Sequence, residues 1–350
     1  MKKYNLIILL YLLLPVSILA QNKSIHEEKF ITIGGIEQWI TINGDDHSKP
    51  VILFLHGGPG STMSPYDNTI YGGWEKNFIL VQWDQRGSGR TFGRNAPVEI
   101  NEDYWVENPL SVEQMTDDGI ALSKYLIQYL GTKKIIILGT SWGSVLGTKM
   151  ALKNPALFHA YVGHSQIVNP SENLLVSYNK IYKMAQKAYD QESIDTLRSI
   201  GIPPYINAKN AGQLFRIIKK YERKNSIPVP NSWWKIASKY DNAMDSKDRE
   251  DGDDYSFINY IGHKQIGIKG IIGSINFLES GLNFKIPIYL IQGEEDILTP
   301  KEITISYFDK IKAPKKEFFL VPGAAHGCNQ SIIDTQYKII KEHIVSLIDK

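Results

Sequence analysis

A single cysteine, Cys328, stands in the 350-residue chain. It excludes an intrachain disulfide framework and any thiolate zinc knuckle. Excess charge of one sign is also missing: 39 Lys and Arg face 37 Asp and Glu, and loss of Lys2 and Lys3 with a leader would make the two equal. A chain so balanced lacks the basic field that nucleic-acid binding draws on. No His-Glu-x-x-His or similar paired-ligand spacing occurs, which argues against a metallohydrolase. No metal, cofactor or nucleic-acid partner is expected. The apolar run from Leu6 to Ala20 is shorter than the roughly 20 residues of a membrane span and is interrupted by Pro15, so no stable span is expected after processing.

What is present is an ordinary folded composition, 43% hydrophobic and 22% charged, in a chain long enough to bury a full core. Residues 1–20 combine basic Lys2 and Lys3, an apolar stretch and a small residue, Ala20, before Gln21. This is the pattern of a signal peptide, and export with cleavage near Ala20 is the expectation.

Beyond it, Phe30 to Asn43 reads as a hairpin around Gly34-Gly35. Continuous apolar runs at Val51 to Leu55, Phe78 to Trp83, Lys134 to Leu138, Ile288 to Ile291 and Phe318 to Val321 suit strands covered on both faces. Helical spacing fills Asp117 to Leu130, the stretch after Ser144, and Ile332 to Ile348. Alternating strand and helix predicts an α/β fold, a mostly parallel sheet flanked by helices. The alternation stops between Pro170 and Lys285, so residues 170–285 are expected as a mainly helical cap inserted into a core of residues 21–169 and 286–350. Within the cap, Asp241 to Asp254 carries seven acids against two bases and is expected as a solvated mobile loop. A calcium loop is disfavoured there, because Gly252 would put the first acidic ligand at Lys247.

Gly139-Thr140-Ser141-Trp142-Gly143 matches G-x-S-x-G, in which a serine sits on a strained turn from a buried strand into a helix. Its hydroxyl needs a base to take the proton and an acid to orient that base. Asp296 and His326 follow in that order, each in a loop directly after a strand, where catalytic groups gather in open α/β sheets. Glu294 and Glu295 compete with Asp296, which is favoured because the turn would carry the first two past the strand end. The amide of Trp142 is one candidate oxyanion donor. The second is expected from His56-Gly57-Gly58-Pro59-Gly60, with Gly58 ahead of Gly57, since Pro59 has no N–H. His56 reads as a brace for that loop, and Trp233 and Trp234 as helical core.

His-Gly-Gly-Pro-Gly at His56, Trp-Asp-Gln-Arg-Gly-Ser-Gly at Trp83 and Gly-Thr-Ser-Trp-Gly-Ser at Gly139 together resemble the α/β-hydrolase superfamily, in particular its proline iminopeptidase-like branch of serine peptidases. The resemblance implies a triad of Ser141, Asp296 and His326 and release of an N-terminal residue, usually proline, from short peptides. It implies that Asp84 and Arg86 brace the loops, and they are read as an ion pair. It further implies cap carboxylates that hold the substrate's amino terminus, for which Glu279 is the candidate, although the Asn-His-Tyr that usually follows is missing. The expectation is an exported serine hydrolase acting on a small peptide through an acyl-enzyme, with a carboxylesterase on small esters as the alternative. A non-catalytic binding protein on the same scaffold is the remote one. Epoxide and haloalkane hydrolases need an aspartate at the elbow, where this chain has Ser141.

Overall fold

The computed structural model describes residues 23–348; the leader expected at residues 1–20 lies outside them. Among the described residues there are ten strands: β1 Ile25–Ile33, β2 Ile36–Gly44, β3 Val51–Leu55, β4 Ile79–Trp83, β5 Ile135–Thr140, β6 Phe158–His164, the two-residue pair β7 Gly262–His263 and β8 Ile268–Lys269, β9 Ile288–Gly293 and β10 Lys316–Val321. Eight of them form one sheet in the order β1-β2-β4-β3-β5-β6-β9-β10. The β1–β2 and β2–β4 pairs are antiparallel, and the others are parallel.

Alternation along the central strands explains the layers. In β5, Ile135 and Ile137 join one apolar cluster, while Ile136 and Leu138 join another on the opposite face. The first cluster packs against the helices Val112–Tyr129, Trp142–Lys153 and Lys301–Lys310; the second takes Ile332, Ile333, Ile339 and Ile340 from the C-terminal helical segment. A strand covered on both faces has no use for a polar side, which is why β3 reads as an unbroken apolar run and β4 and β9 are apolar but for Gln82 and Gln292.

Residues 165–287 separate β6 from β9, yet these strands pair directly, Tyr161 opposite Ile288 and His164 opposite Ile291. The intervening chain folds into the helices Pro170–Lys187, Gln191–Ile200, Ala208–Asn225 and Ala243–Ile261 with the small β7–β8 ladder. Leu174, Ile181, Leu197, Leu214, Ile218 and Tyr255 bind it to the first apolar cluster.

Two expectations fail here. The acidic stretch Asp241 to Asp254 is no mobile loop; most of it begins the helix Ala243–Ile261. Asn242 caps that helix by accepting from the Asp245 N–H, and early acids suit the positive end of the helix dipole. Asp245 in turn grips Arg90 at 2.6 and 3.0 Å. Nor do Asp84 and Arg86 pair with each other. Arg86 donates to Asp118 at 2.8 Å and to the Gly34 carbonyl at 2.8 Å. Asp84 is buried and accepts from Thr62, Ser64 and the Arg90 N–H. Burial pushes its carboxyl up to about 6 against those hydrogen bonds.

Candidate active site

Ser141 ends β5 and begins the helix Trp142–Lys153 with φ 52° and ψ −118°. A non-glycine residue at positive φ is strained, and such strain gathers where a side chain must be held out of the sheet. The flanking glycines permit the bend. A Cβ on Gly139 would lie 2.4 Å from the Gly143 carbonyl oxygen, and one on Gly143 would lie 1.9 Å from that of Leu55.

Three strand ends deliver one chain of hydrogen bonds. His326 Nε2 lies 2.9 Å from Ser141 Oγ, and His326 Nδ1 lies 3.2 and 3.3 Å from the two Asp296 oxygens. Asp296 is fully buried, and the His326 side chain is partly exposed at 16%. Asp296 is also held by Gln292 Nε2 at 3.0 Å, the Thr299 N–H at 2.8 Å and the Thr299 hydroxyl at 2.6 Å. Burial alone would raise the Asp296 carboxyl, but the imidazole beside it and the Thr299 hydrogen bonds outweigh burial and hold it below the usual value. For His326, burial disfavours the charged ring; Asp296, with Glu222 behind it, reverses that and raises the imidazole.

Glu294 and Glu295 do not take the acid's place. Their backbone N–H groups donate to Val321 and Ala324 carbonyls, and both side chains are partly exposed. Ser165 supports the base from the other side, its hydroxyl donating to the His326 carbonyl at 3.1 Å.

Gly58 and Ser141 line one small cavity of about 30 Å³ with Ile167, Pro170, Asn173, Leu174, Phe215, Tyr260, Leu298 and Thr299. Gly57 lies alongside: a Cβ there would sit 3.4 Å from Ser141 Cβ. Trp142 opens its helix, where an amide has no partner within the helix, while its indole donates to Gln85 at 3.1 Å. His56 is buried and pushed down to about 4. It accepts from the Gln85 N–H at its Nε2, 3.2 Å away, and its Nδ1 faces the Gly57 carbonyl at 2.8 Å. That is a neutral ring tying the glycine loop to the loop after β4.

Glu279 is not brought to this site. It is exposed on the short helix Phe277–Ser280, accepting from Asn276 at 2.8 Å, because that helix turns Phe277 inward and Glu279 outward. Trp233 is buried as core, whereas Trp234 is exposed. His164 is fully buried at the end of β6, and its carbonyl accepts the Ser141 N–H, 3.0 Å away. Among the described residues no cluster of His, Cys, Asp and Glu could hold a metal ion, and no helix is long and apolar enough to cross a membrane.

Several residues of the site carry no sequence motif. Thr299 and Gln292 fix the acid, and Asn173 lines the cavity. Glu222, from the helix Ala208–Asn225, accepts the Ile297 and Leu298 N–H groups at 2.8 and 3.2 Å and so clamps the turn after Asp296. Burial, reinforced by the Asp296 charge, pushes its carboxyl up to about 7.

The family model for the serine aminopeptidase S33 group matches residues 46–329. A probable aminopeptidase of Bacillus subtilis, YbaC, is 26% identical over 312 residues, covering 87% of this chain and 92% of the relative. Among solved structures, VinJ superposes with a TM-score of 0.66 at 19% identity, covering 92% of this chain and 99% of its own. A proline iminopeptidase of Mycobacterium smegmatis gives 0.61 at 20% identity, covering 92% and 100%. Esterase and epoxide hydrolase structures share the fold too.

Proposed function

We propose, from the premise that the chain belongs to the S33 serine aminopeptidase family of α/β-hydrolases, that it is a serine hydrolase releasing an N-terminal proline or other small residue from peptides. The observation that carries this reading is the buried relay Asp296–His326–Ser141, with a 2.9 Å contact between imidazole and hydroxyl. In the first half-reaction Ser141 Oγ forms a bond to the scissile carbonyl carbon as its proton passes to His326 Nε2. The Trp142 and Gly58 amides receive the negative oxygen. The carbon–nitrogen bond then breaks, and the His326 proton goes to the leaving amine, giving the shortened peptide and an acyl-enzyme. In the second half, water gives a proton to His326 and its oxygen attacks the acyl carbon. The ester to Ser141 breaks, the proton returns to Oγ, and the free amino acid leaves. Asp296 keeps the ring in the tautomer both halves need.

The cavity's Ile167, Leu174, Phe215 and Leu298 favour a small apolar acyl side chain. The second reading, a carboxylesterase, draws on one observation: no carboxylate is among the described residues lining the cavity at Ser141, and Glu279 lies elsewhere.

A panel of aminoacyl arylamides set against short-chain nitrophenyl esters separates the two. Turnover of prolyl or alanyl arylamides, abolished in Ser141→Ala, supports the aminopeptidase; turnover confined to esters ends it. A wild-type protein that never reacts with a fluorophosphonate would instead favour the binding-protein reading. Export is also proposed, resting only on the composition of residues 1–20; intact residues 1–20 on the protein from its native cells would refute it.

A further inference from the structure

Asn173 lies in the first turn of the helix Pro170–Lys187, and its backbone is fully engaged. Its N–H donates to the Asn169 carbonyl at 2.9 Å, and its carbonyl accepts from the Ser177 hydroxyl at 2.6 Å. The Ser177 hydroxyl also lies 2.6 Å from the Ile297 carbonyl and shares its one proton between the two, tying this turn to the loop that carries Asp296. The side chain is treated differently. Asn173 is only 3% exposed, yet neither its Oδ1 nor its Nδ2 has a hydrogen-bond partner among the described residues. A buried amide left with neither donor nor acceptor matched is costly, and such groups in a folded protein call for a reason.

The reason lies in its place. Asn173 lines the same cavity as Ser141 and Gly58, and most other walls of that cavity are apolar. Ser141 and Gly58 fix where a reacting carbonyl must sit, so an unmatched amide in the same small space faces the acyl portion of the substrate. Resting on the serine hydrolase reading above, we propose that Asn173 is a specificity-determining residue. Its Oδ1 accepts from an N–H or O–H carried by the carbon next to the scissile carbonyl. The substrate class is therefore an α-amino or α-hydroxy acyl group with a small side chain. A plain acyl chain leaves the amide unmatched, and sites built to hydrogen-bond a substrate group reject analogues lacking it.

The test compares alanyl, lactoyl and propionyl groups, each on an aminocoumarin amide and, in parallel, lactoyl and propionyl groups on a methylumbelliferyl ester. Wild-type protein is expected to prefer alanyl or lactoyl over propionyl by at least about tenfold in kcat/KM. Asn173→Leu and Asn173→Ala bring that ratio close to one, while Asn173→Asp, which keeps an acceptor, retains the preference for alanyl. Fluorophosphonate labelling of Ser141 shows which variants are folded, and the alanine and aspartate variants decide if the leucine one is not. Ratios in the alanine variant within about twofold of wild type overturn the inference, as does a wild type with no preference or no turnover of either series. Turnover of esters but not amides, with the lactoyl preference still dependent on Asn173, defeats the aminopeptidase reading and leaves this one standing.

Discussion

Glu295 donates its backbone N–H to the Ala324 carbonyl at 2.8 Å, and this bond makes one unit of the two loops that carry Asp296 and His326. The approach is close: a Cβ on Gly293 would lie 2.4 Å from the Ala325 carbonyl oxygen. Asp296 and His326 are thus fixed to each other by backbone before either side chain contributes. The serine is supplied from β5, two strands away across the sheet.

The pH profile should carry the mark of that unit. Asp296 and Glu222 raise the His326 imidazole, with burial and Lys219 opposing them. On the proposed mechanism His326 must be neutral to accept the Ser141 proton, so kcat/KM should rise with pH through a value above the ordinary ~6.5 of histidine. Asp296→Asn removes the main raising influence, so the acid limb moves to lower pH while kcat falls by about 10⁴-fold. A limb that stays in place would separate Asp296 from His326 in solution.

On the proposed mechanism Thr299 is a positioning residue for Asp296. Thr299→Val deletes the 2.6 Å hydroxyl bond to Asp296 but keeps the backbone N–H bond at 2.8 Å. Losing one hydrogen bond to a charged group should lower kcat by about tenfold. KM should change little, and Thr299→Ser should recover most of the loss. Steady-state kinetics on the three proteins reads the split.

Glu222 links the cap to stability. Its carboxyl is raised to about 7, chiefly by burial. The folded state therefore holds a proton that the unfolded chain releases near its ordinary ~4.3. The associated stability is present below that value and is lost as pH rises through about 7. Glu222→Gln cannot ionise, so the melting temperature of the wild type should decline relative to the variant between pH 5 and pH 8. Parallel curves would mean that Glu222 is ionised throughout.

Gly143→Ala asks for space that is taken, since its Cβ would fall 1.9 Å from the Leu55 carbonyl oxygen. Backbone must shift at the junction of β3 and β5, at a cost of about 1–3 kcal/mol. Chemical denaturation should register that loss, together with a large fall in activity as Ser141 is displaced.

The succession of strands along the chain and the loops bearing Ser141, Asp296 and His326 were legible because each depends on local signals: an apolar run, a glycine where chains crowd, a reactive residue just past the strand. Glu279 was not placed by such reasoning, since which face of a four-residue helix meets the cavity is settled by Phe277 seeking the core. Glu222 holds a turn 75 positions further along the chain, Thr299 reaches Asp296 through a buried hydroxyl, and Asn173 stands out only by its burial beside Ser141; no spacing announces any of these. The Asp241 to Asp254 stretch misled because net charge hides a capped helix whose Asp245 answers Arg90. The same holds for Arg86, whose partner Asp118 sits on a helix the motif does not reach.

The direct pairing of β6 with β9 across residues 165–287 has a temporal consequence. During synthesis the serine emerges well before its acid and base, and closing so long a loop carries an entropic cost that only completed sheet contacts offset. The nascent N-terminal portion can lay down β1 to β6 and present an inert hydroxyl. On the proposed mechanism, reactivity then arrives only with the loops that carry Asp296 and His326, and a product truncated before them keeps Ser141 without its relay.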